Sequence, residues 1–249
     1  MRRSAEVVVL LALLVQGCAA APAERETALA RGQLVVVPGR SGLVIGAPHG
    51  SSDESTDRMS RDLAQRTGFG LVLATGFTRI DSQGRRFHVN RPTEGLPGRP
   101  AKEEVYSADA RLVYEAYAQG VSEVARGPLQ LLVELHGNAR QESAGRIEIA
   151  TVGVDRQQAW QLRTLFELIR DAHLRSWPEA PRLAVLIEPL DRLQLSATRA
   201  KEIGVLRLPR RAFHIELPRA ARLQAREAYL EILSEFLSEA ARLLQIWRP

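Results

Sequence analysis

Cysteine is nearly absent: Cys18 is the only one in 249 residues, so no internal disulfide can form and stability must come from a packed core. Lysine is almost as scarce, with Lys102 and Lys201 the only two among 34 basic residues. The formal charge of +5 therefore rests on arginine and reads as a solvated basic surface rather than a polyanion-binding arm. Aromatic residues make up 5%, too few for the stacking platforms that bind single-stranded nucleic acid, and no nucleic-acid partner is expected. The unbiased 18 Gly and 13 Pro exclude collagen-like and low-complexity chains. Long hydrophobic runs are missing too, and the apolar stretch Val7 to Val15 is too short to span a bilayer as a helix. What remains, 45% apolar and 25% charged residues, suits a globular chain that buries its core in one domain.

The N-terminus has the layout of an export signal. Met1-Arg2-Arg3 is the positive start, Val7 to Val15 the apolar stretch, and Val15-Gln16-Gly17-Cys18 the small-residue end. Val-x-Gly-Cys resembles the lipobox of bacterial lipoproteins, which implies lipidation at Cys18. The expected organisation is a signal peptide over 1–18, a tether over 19–32 and one folded domain over 33–249. The expected location is the periplasm or cell envelope, with membrane contact only through the lipid anchor.

Short runs of Val, Ile and Leu alternate with amphipathic stretches, the pattern of an α/β domain with a sheet covered by helices. Strands are predicted at Leu34 to Val37, Leu43 to Ala47, Gly70 to Ala74, Leu129 to Leu135, Ile147 to Val152, Leu183 to Glu188 and Ala212 to Leu217. Helices are predicted at Ser55 to Thr67, Ser107 to Ala125, Asp155 to Leu174 and, as one long element, Ala220 to Trp247. Asp81 to Lys102 lacks either periodicity and reads as a long structured loop, a kind of segment often tied to function.

Three polar groups stand where predicted strands end, which is where open α/β sheets place their sites. In Pro48-His49-Gly50-Ser51-Ser52-Asp53-Glu54, a strand delivers His49 to a turn and two acids follow at a helix start. A His and a carboxylate across such a turn can face one cation, although Asp53 could instead cap the helix and Glu54 favour its first turn. In Val133-Glu134-Leu135-His136-Gly137-Asn138, alternation puts Glu134 and His136 on one strand face. In Phe213-His214-Ile215-Glu216-Leu217, a glutamate late in an apolar strand needs a compensating partner, a metal-bound water or an arginine such as Arg219 or Arg222.

Together these groups suit a hydrolytic zinc site, which takes three protein ligands and keeps one position for water. His49, Asp53 (or Glu54) and His136 are the candidate ligands, and Glu216 is the candidate base. Asn90 and Arg91 in the long loop can hold a substrate carboxylate or a developing oxyanion, though Arg91 in an arginine-rich chain also fits a surface role.

In order along the chain, Pro48-His49-Gly50-x-x-Asp53-x-x-Thr56, Val89-Asn90-Arg91-Pro92-Thr93-Glu94, Glu134-Leu135-His136-Gly137 and His214-Ile215-Glu216-Leu217-x-Arg219 resemble the motifs of the N-formylglutamate amidohydrolase family. Phage-type poly-γ-glutamate hydrolases share much of this pattern, and both are similar in fold to zinc carboxypeptidases. The resemblance implies a single three-layer domain with a mixed β-sheet flanked by helices. It also implies one Zn2+ on His49, Asp53 and His136, Asn90 and Arg91 at the substrate, and Glu216 as the catalytic carboxylate. Asn138 is a further candidate for substrate binding. The poly-γ-glutamate hydrolases space their acidic ligand one residue further from the His, which keeps Glu54 as an alternative; Asp53 preserves the spacing to Thr56.

The implied activity is a metal-dependent amidohydrolase cleaving an amide bond in a carboxylate-bearing small molecule or peptide. Export points to γ-glutamyl polymers, cell-wall peptides and scavenged peptides more than to the cytoplasmic N-formylglutamate. The alternative is a non-catalytic envelope lipoprotein that binds such a peptide. A serine hydrolase using Ser51 or Ser52 lacks a Gly-x-Ser-x-Gly elbow. His88 reads as a loop residue, His173 as a solvated helix end, and His214 is left between a supporting contact and none.

Overall fold

β-Branched and leucine-rich runs form strands because their side chains pack well on a pleated, buried surface. The computed structural model describes residues 24–29, 31–50, 52–78, 84–96 and 103–246. In chain order the elements are β1 (Arg25–Leu29), β2 (Gly32–Val37), β3 (Arg40–Ala47), α1 (Thr56–Thr67), β4 (Phe69–Thr75), β5 (Arg86–Phe87), β6 (Thr93–Gly95), β7 (Val105–Tyr106), α2 (Ala108–Ala125), β8 (Leu131–Asn138), β9 (Arg146–Val152), α3 (Arg156–His173), β10 (Ala184–Ile187), α4 (Thr198–Ile203), β11 (Arg211–Pro218), α5 (Arg219–Arg222) and α6 (Arg226–Leu243). Eight strands make one mixed sheet in the order β1-β2-β4-β3-β8-β11-β9-β10, with β4, β3, β8 and β11 mutually parallel.

Helices cover both faces. Met59 and Leu63 of α1, Leu162 and Phe166 of α3, and Leu233, Phe236 and Leu237 of α6 pack on one face with Val133, Phe213 and Ile215. Val113, Tyr117 and Val121 of α2 and Ala200 of α4 pack on the other with Val44, Val72 and Leu132. This is the single α/β domain with a mixed, helix-flanked sheet expected above. Capping fixes the helix starts: Ser107 accepts from the Ala110 amide, and Asp155 and Gln158 form a reciprocal capping box.

The structure corrects four expectations. Part of the expected tether, Arg25–Leu29, is an antiparallel edge strand on β2, tied to α2 by an Arg25–Glu123 ion pair; its polar composition gave no strand signal. The long last helix is divided, because the Ala225 amide closes a wide turn on the Ala220 carbonyl and redirects α6 along the sheet. The long loop carries β5 and β6, which join β7 in a small antiparallel sheet. The short helix α4 carried no helical periodicity. Residues 1–23, including Cys18 and the expected signal peptide, lie outside the described residues, as do 81–83, 97–102 and Trp247.

Candidate metal centre

Strand register assembles the site. Along β8 and β11, odd positions Val133, Leu135, Phe213 and Ile215 enter the core beneath α1, α3 and α6. The alternate positions project to the α2 side. There Glu134 faces His214, and His136 faces Glu216, as register partners on neighbouring parallel strands about 4.8 Å apart. Gly46 of β3 is the register partner of Glu134 on its other side.

His49 reaches this row from the end of β3. The amides of Ser52 and Asp53 both donate to its carbonyl, at 2.8 and 2.9 Å, making a tight turn that brings Asp53 back over the strand tips. Asp53 Oδ2 then lies 3.4 Å from His49 Nδ1 and 3.6 Å from His136 Nδ1, and accepts from the Gly137 amide at 3.0 Å. Ser55, not Asp53, holds the N-cap position of α1, without a side-chain bond, so the competing capping role for Asp53 is overturned. Glu54 points away and pairs with Arg219 at 3.1 Å. The alternative acid is therefore not brought to the two histidines.

The three residues fit a metal ion. Ligand atoms bound tetrahedrally at about 2.0–2.2 Å lie roughly 3.3–3.6 Å from one another, close to the spacings of Asp53 to the two imidazoles. The far nitrogen of each ring has a neighbour that would leave Nδ1 free for the ion: His49 Nε2 donates to the His88 carbonyl at 3.1 Å, and His136 Nε2 lies 3.6 Å from Glu134 Oε2. His136 Nε2 has no hydrogen bond and is buried. Burial would lower the His136 pKa, but Asp53 and Glu134 raise it to about 10; burial would raise that of Asp53, but His136 and His49 hold it well below the usual carboxylate range. Such charge convergence is what a cation would replace.

Glu134, His136 and His214 also bring ligand-type atoms within 4.8 Å of one another. Both Glu134 oxygens are engaged, by Asn90 Nδ2 at 3.0 Å and Tyr117 Oη at 3.2 Å. This carboxylate is thus a buried support for the two rings, and His136 is common to both groups.

Glu216 is compensated first by His214, whose Nε2 lies 3.0 Å from Oε1, while Arg222 acts on it only through longer-range charge. Burial opposes its charge, but the His214 hydrogen bond and the His214 and His136 charges keep it ionised below the ordinary range. The His214 ring also lies against His136, tilted by 34° with centroids 4.0 Å apart. Arg222 instead binds the Leu217 carbonyl at 3.1 Å and the Glu54 carbonyl, bracing the turn that bears Asp53.

The long loop forms one side of a cleft of about 650 Å³ above the centre. Between His88 and Asn90 the chain makes a three-residue turn, the Asn90 amide donating to the His88 carbonyl at 2.6 Å with Val89 at φ 61°, a strained conformation for a β-branched residue. Asn90 spends an amide hydrogen on Glu134 and its Oδ1 on Arg91 at 3.1 Å, so its first role is internal. Arg91 is not a surface charge: its Nε binds Glu104 at 2.7 Å. The buried Glu104 carboxylate, which sequence reading missed, also holds Arg199 at 2.9 Å and lies 3.2 Å from His88. His88, expected to be an ordinary loop residue, lines the cleft, and burial together with Arg91 pushes its pKa down to about 2. Asn138 lines the cleft, and its unpartnered Nδ2 is buried beneath it. His173 sits at the end of α3 between Glu231 and Glu235, away from the centre.

The fold is similar to that of a bacteriophage poly-gamma-glutamate hydrolase, at 13% identity and a TM-score of 0.47 over 89% of this chain and 94% of that one. It is also similar to a metallo-carboxypeptidase from Burkholderia cenocepacia, at 12% identity and a TM-score of 0.44 over 88% of this chain and 66% of that one. A metallo-carboxypeptidase from Pseudomonas aeruginosa is similar at 15% identity and a TM-score of 0.42, over 88% and 65% of the two chains. No protein-family model matches the sequence, and no curated protein matches it.

Proposed function

We propose that this chain is a zinc-dependent amidohydrolase of the cell envelope, anchored through Cys18, acting on a carboxylate-bearing amide such as an N-formyl or γ-glutamyl compound or a cell-wall peptide. The observation that carries the reading is the convergence of His49 Nδ1 and His136 Nδ1 on Asp53 Oδ2, with the buried Glu216 beside His136 on the next strand. His49, Asp53 and His136 would hold the zinc ion, which when bound would supply Lewis acidity and lower the pKa of water toward 7. Glu216, ionised at neutral pH, takes the proton of the attacking water and delivers it to the leaving nitrogen. His214 keeps that carboxylate turned toward the cleft. Arg91, oriented by Glu104 and Asn90, binds the substrate carboxylate or the developing oxyanion with its remaining N–H groups, and Asn138 lines the same cleft as a further substrate contact.

The test is elemental analysis of the form starting at Ala19, followed by a hydrolysis screen of formylated amino acids, γ-glutamyl peptides and wall fragments. The expected result is one zinc per chain, lost in His49→Ala and in His136→Ala. Glu216→Gln should keep the zinc and lose at least about a hundredfold in kcat. A parent that takes up no metal overturns the mechanism, and Glu216→Gln with full turnover removes the assigned base.

A further inference from the structure

Glu148 is a carboxylate that the proposed chemistry does not use, yet none of its surface is exposed. It stands on β9 as the direct antiparallel partner of Glu216, so both side chains leave the same face of the sheet. Two like charges facing each other across strands are unfavourable unless each turns to its own partner. Glu216 turns to His214. Glu148 turns the other way, where Oε1 accepts from Arg146 Nε at 2.7 Å. Its Oε2 accepts from the backbone amides of Gln194 and Leu195, at 2.9 and 3.0 Å.

Those two amides belong to the connection between β10 and α4. Gln194 to Arg199 line the cleft, as do Asn90 and Arg91, and Arg199 shares the Glu104 carboxylate with Arg91. The Gln194 side chain repeats the attachment, its Oε1 accepting from Ser143 Oγ at 2.9 Å and its Nε2 donating to Glu142 at 3.1 Å. A buried carboxylate on a rigid strand thus does for this wall what a backbone ladder does elsewhere: it fixes two amides that would otherwise be free to move with the loop. The segment so held presents Leu195, Ser196 and Ala197 to the cleft, ahead of Arg199.

We propose that Glu148 is a positioning residue that sets the Gln194–Ala197 wall of the cleft, and through it the fit of the substrate group flanking the scissile amide. The assignment rests on the hydrolase reading for its kinetic consequence but not for its structural one. The test compares the zinc-loaded Glu148→Gln, which keeps an oxygen acceptor, with Glu148→Asp, which keeps the charge but falls short of the loop.

Hydrogen–deuterium exchange of the peptide covering 190–198 should rise about tenfold or more in Glu148→Asp and stay near the parent in Glu148→Gln. Zinc content should match the parent in both. With the best substrate of the screen, KM should rise about tenfold in Glu148→Asp while kcat changes by less than about threefold. Unchanged exchange in Glu148→Asp overturns the proposal, as does a loss confined to kcat. If the parent cleaves nothing, the hydrolase reading fails by itself, and the exchange comparison still decides whether Glu148 holds the wall.

Discussion

At the scale of single residues, adjacent acids with nearly identical local sequence have opposite fates. Asp53 faces two imidazoles and the Gly137 amide, whereas the Glu54 carboxylate pairs with the exposed Arg219. Removing the charge of Asp53 leaves two neutral donors, and zinc affinity in Asp53→Asn should fall by at least about a hundredfold, judged against a competing chelator. Glu54→Gln breaks an exposed pair of small value and should bind zinc as the parent does. If Glu54→Gln lost the metal and Asp53→Asn kept it, the acidic ligand would have to be reassigned. The type and order of the site residues were legible because His49, His136 and Glu216 stand at or just past strand ends and Asp53 follows in the turn before α1. Their supports were not: Glu104 is distant in sequence from Arg91 and His88 and carries no motif, and Tyr117 reads as an ordinary core aromatic of α2. Tyr117 reaches Glu134 only because position 46 is glycine, where any β-carbon would collide with its hydroxyl.

At the scale of elements, apolar periodicity located the central strands and three helices to within a few residues, because their buried faces repeat at two or at three and four. It failed where other forces set the structure. The β1 strand has no apolar face to read, and is held by pairing with β2 and by Arg25. The helix break before Arg226 precedes the apolar stripe that runs on from Tyr229 through Leu233, Phe236 and Leu237, and the inward turn of Arg222 toward two carbonyls accompanies it. The stripe itself is sound: Phe236 of α6 is fully buried and packs edge-on against Phe166 of α3, centroids 5.1 Å apart, and over Phe213 of β11. Phe236→Ala should cost about 3–5 kcal/mol, read as a lower urea midpoint with unchanged slope. The cavity lies on the sheet face opposite the metal centre, so zinc stoichiometry of the folded fraction should not change. A cost under about 1 kcal/mol would mean that α6 is not packed as described.

At the scale of the whole molecule, the centre is drawn from parts that only the sheet brings together. His49 follows β3, His136 ends β8, Glu216 ends β11, and the parallel register of these strands sets their tips side by side. No ligand pair that includes His136 exists in an unfolded chain, so a bound ion stabilises the native state alone, by RT ln(1 + [L]/Kd). With free zinc at a thousand times Kd this amounts to about 4 kcal/mol, and at roughly 2–4 °C per kcal/mol for a domain of this size the melting point rises by about 10 °C. Stripping the protein with a chelator should therefore lower Tm by about that amount, and adding zinc back should restore it. The control is His136→Ala, which loses one ligand and should show one melting point with or without zinc. Were the parent's Tm equally indifferent, the convergence of His49, Asp53 and His136 would be a hydrogen-bonded cluster of the fold and not a metal centre. An equal rise in the parent and in His136→Ala would instead assign the ion to other residues of the chain.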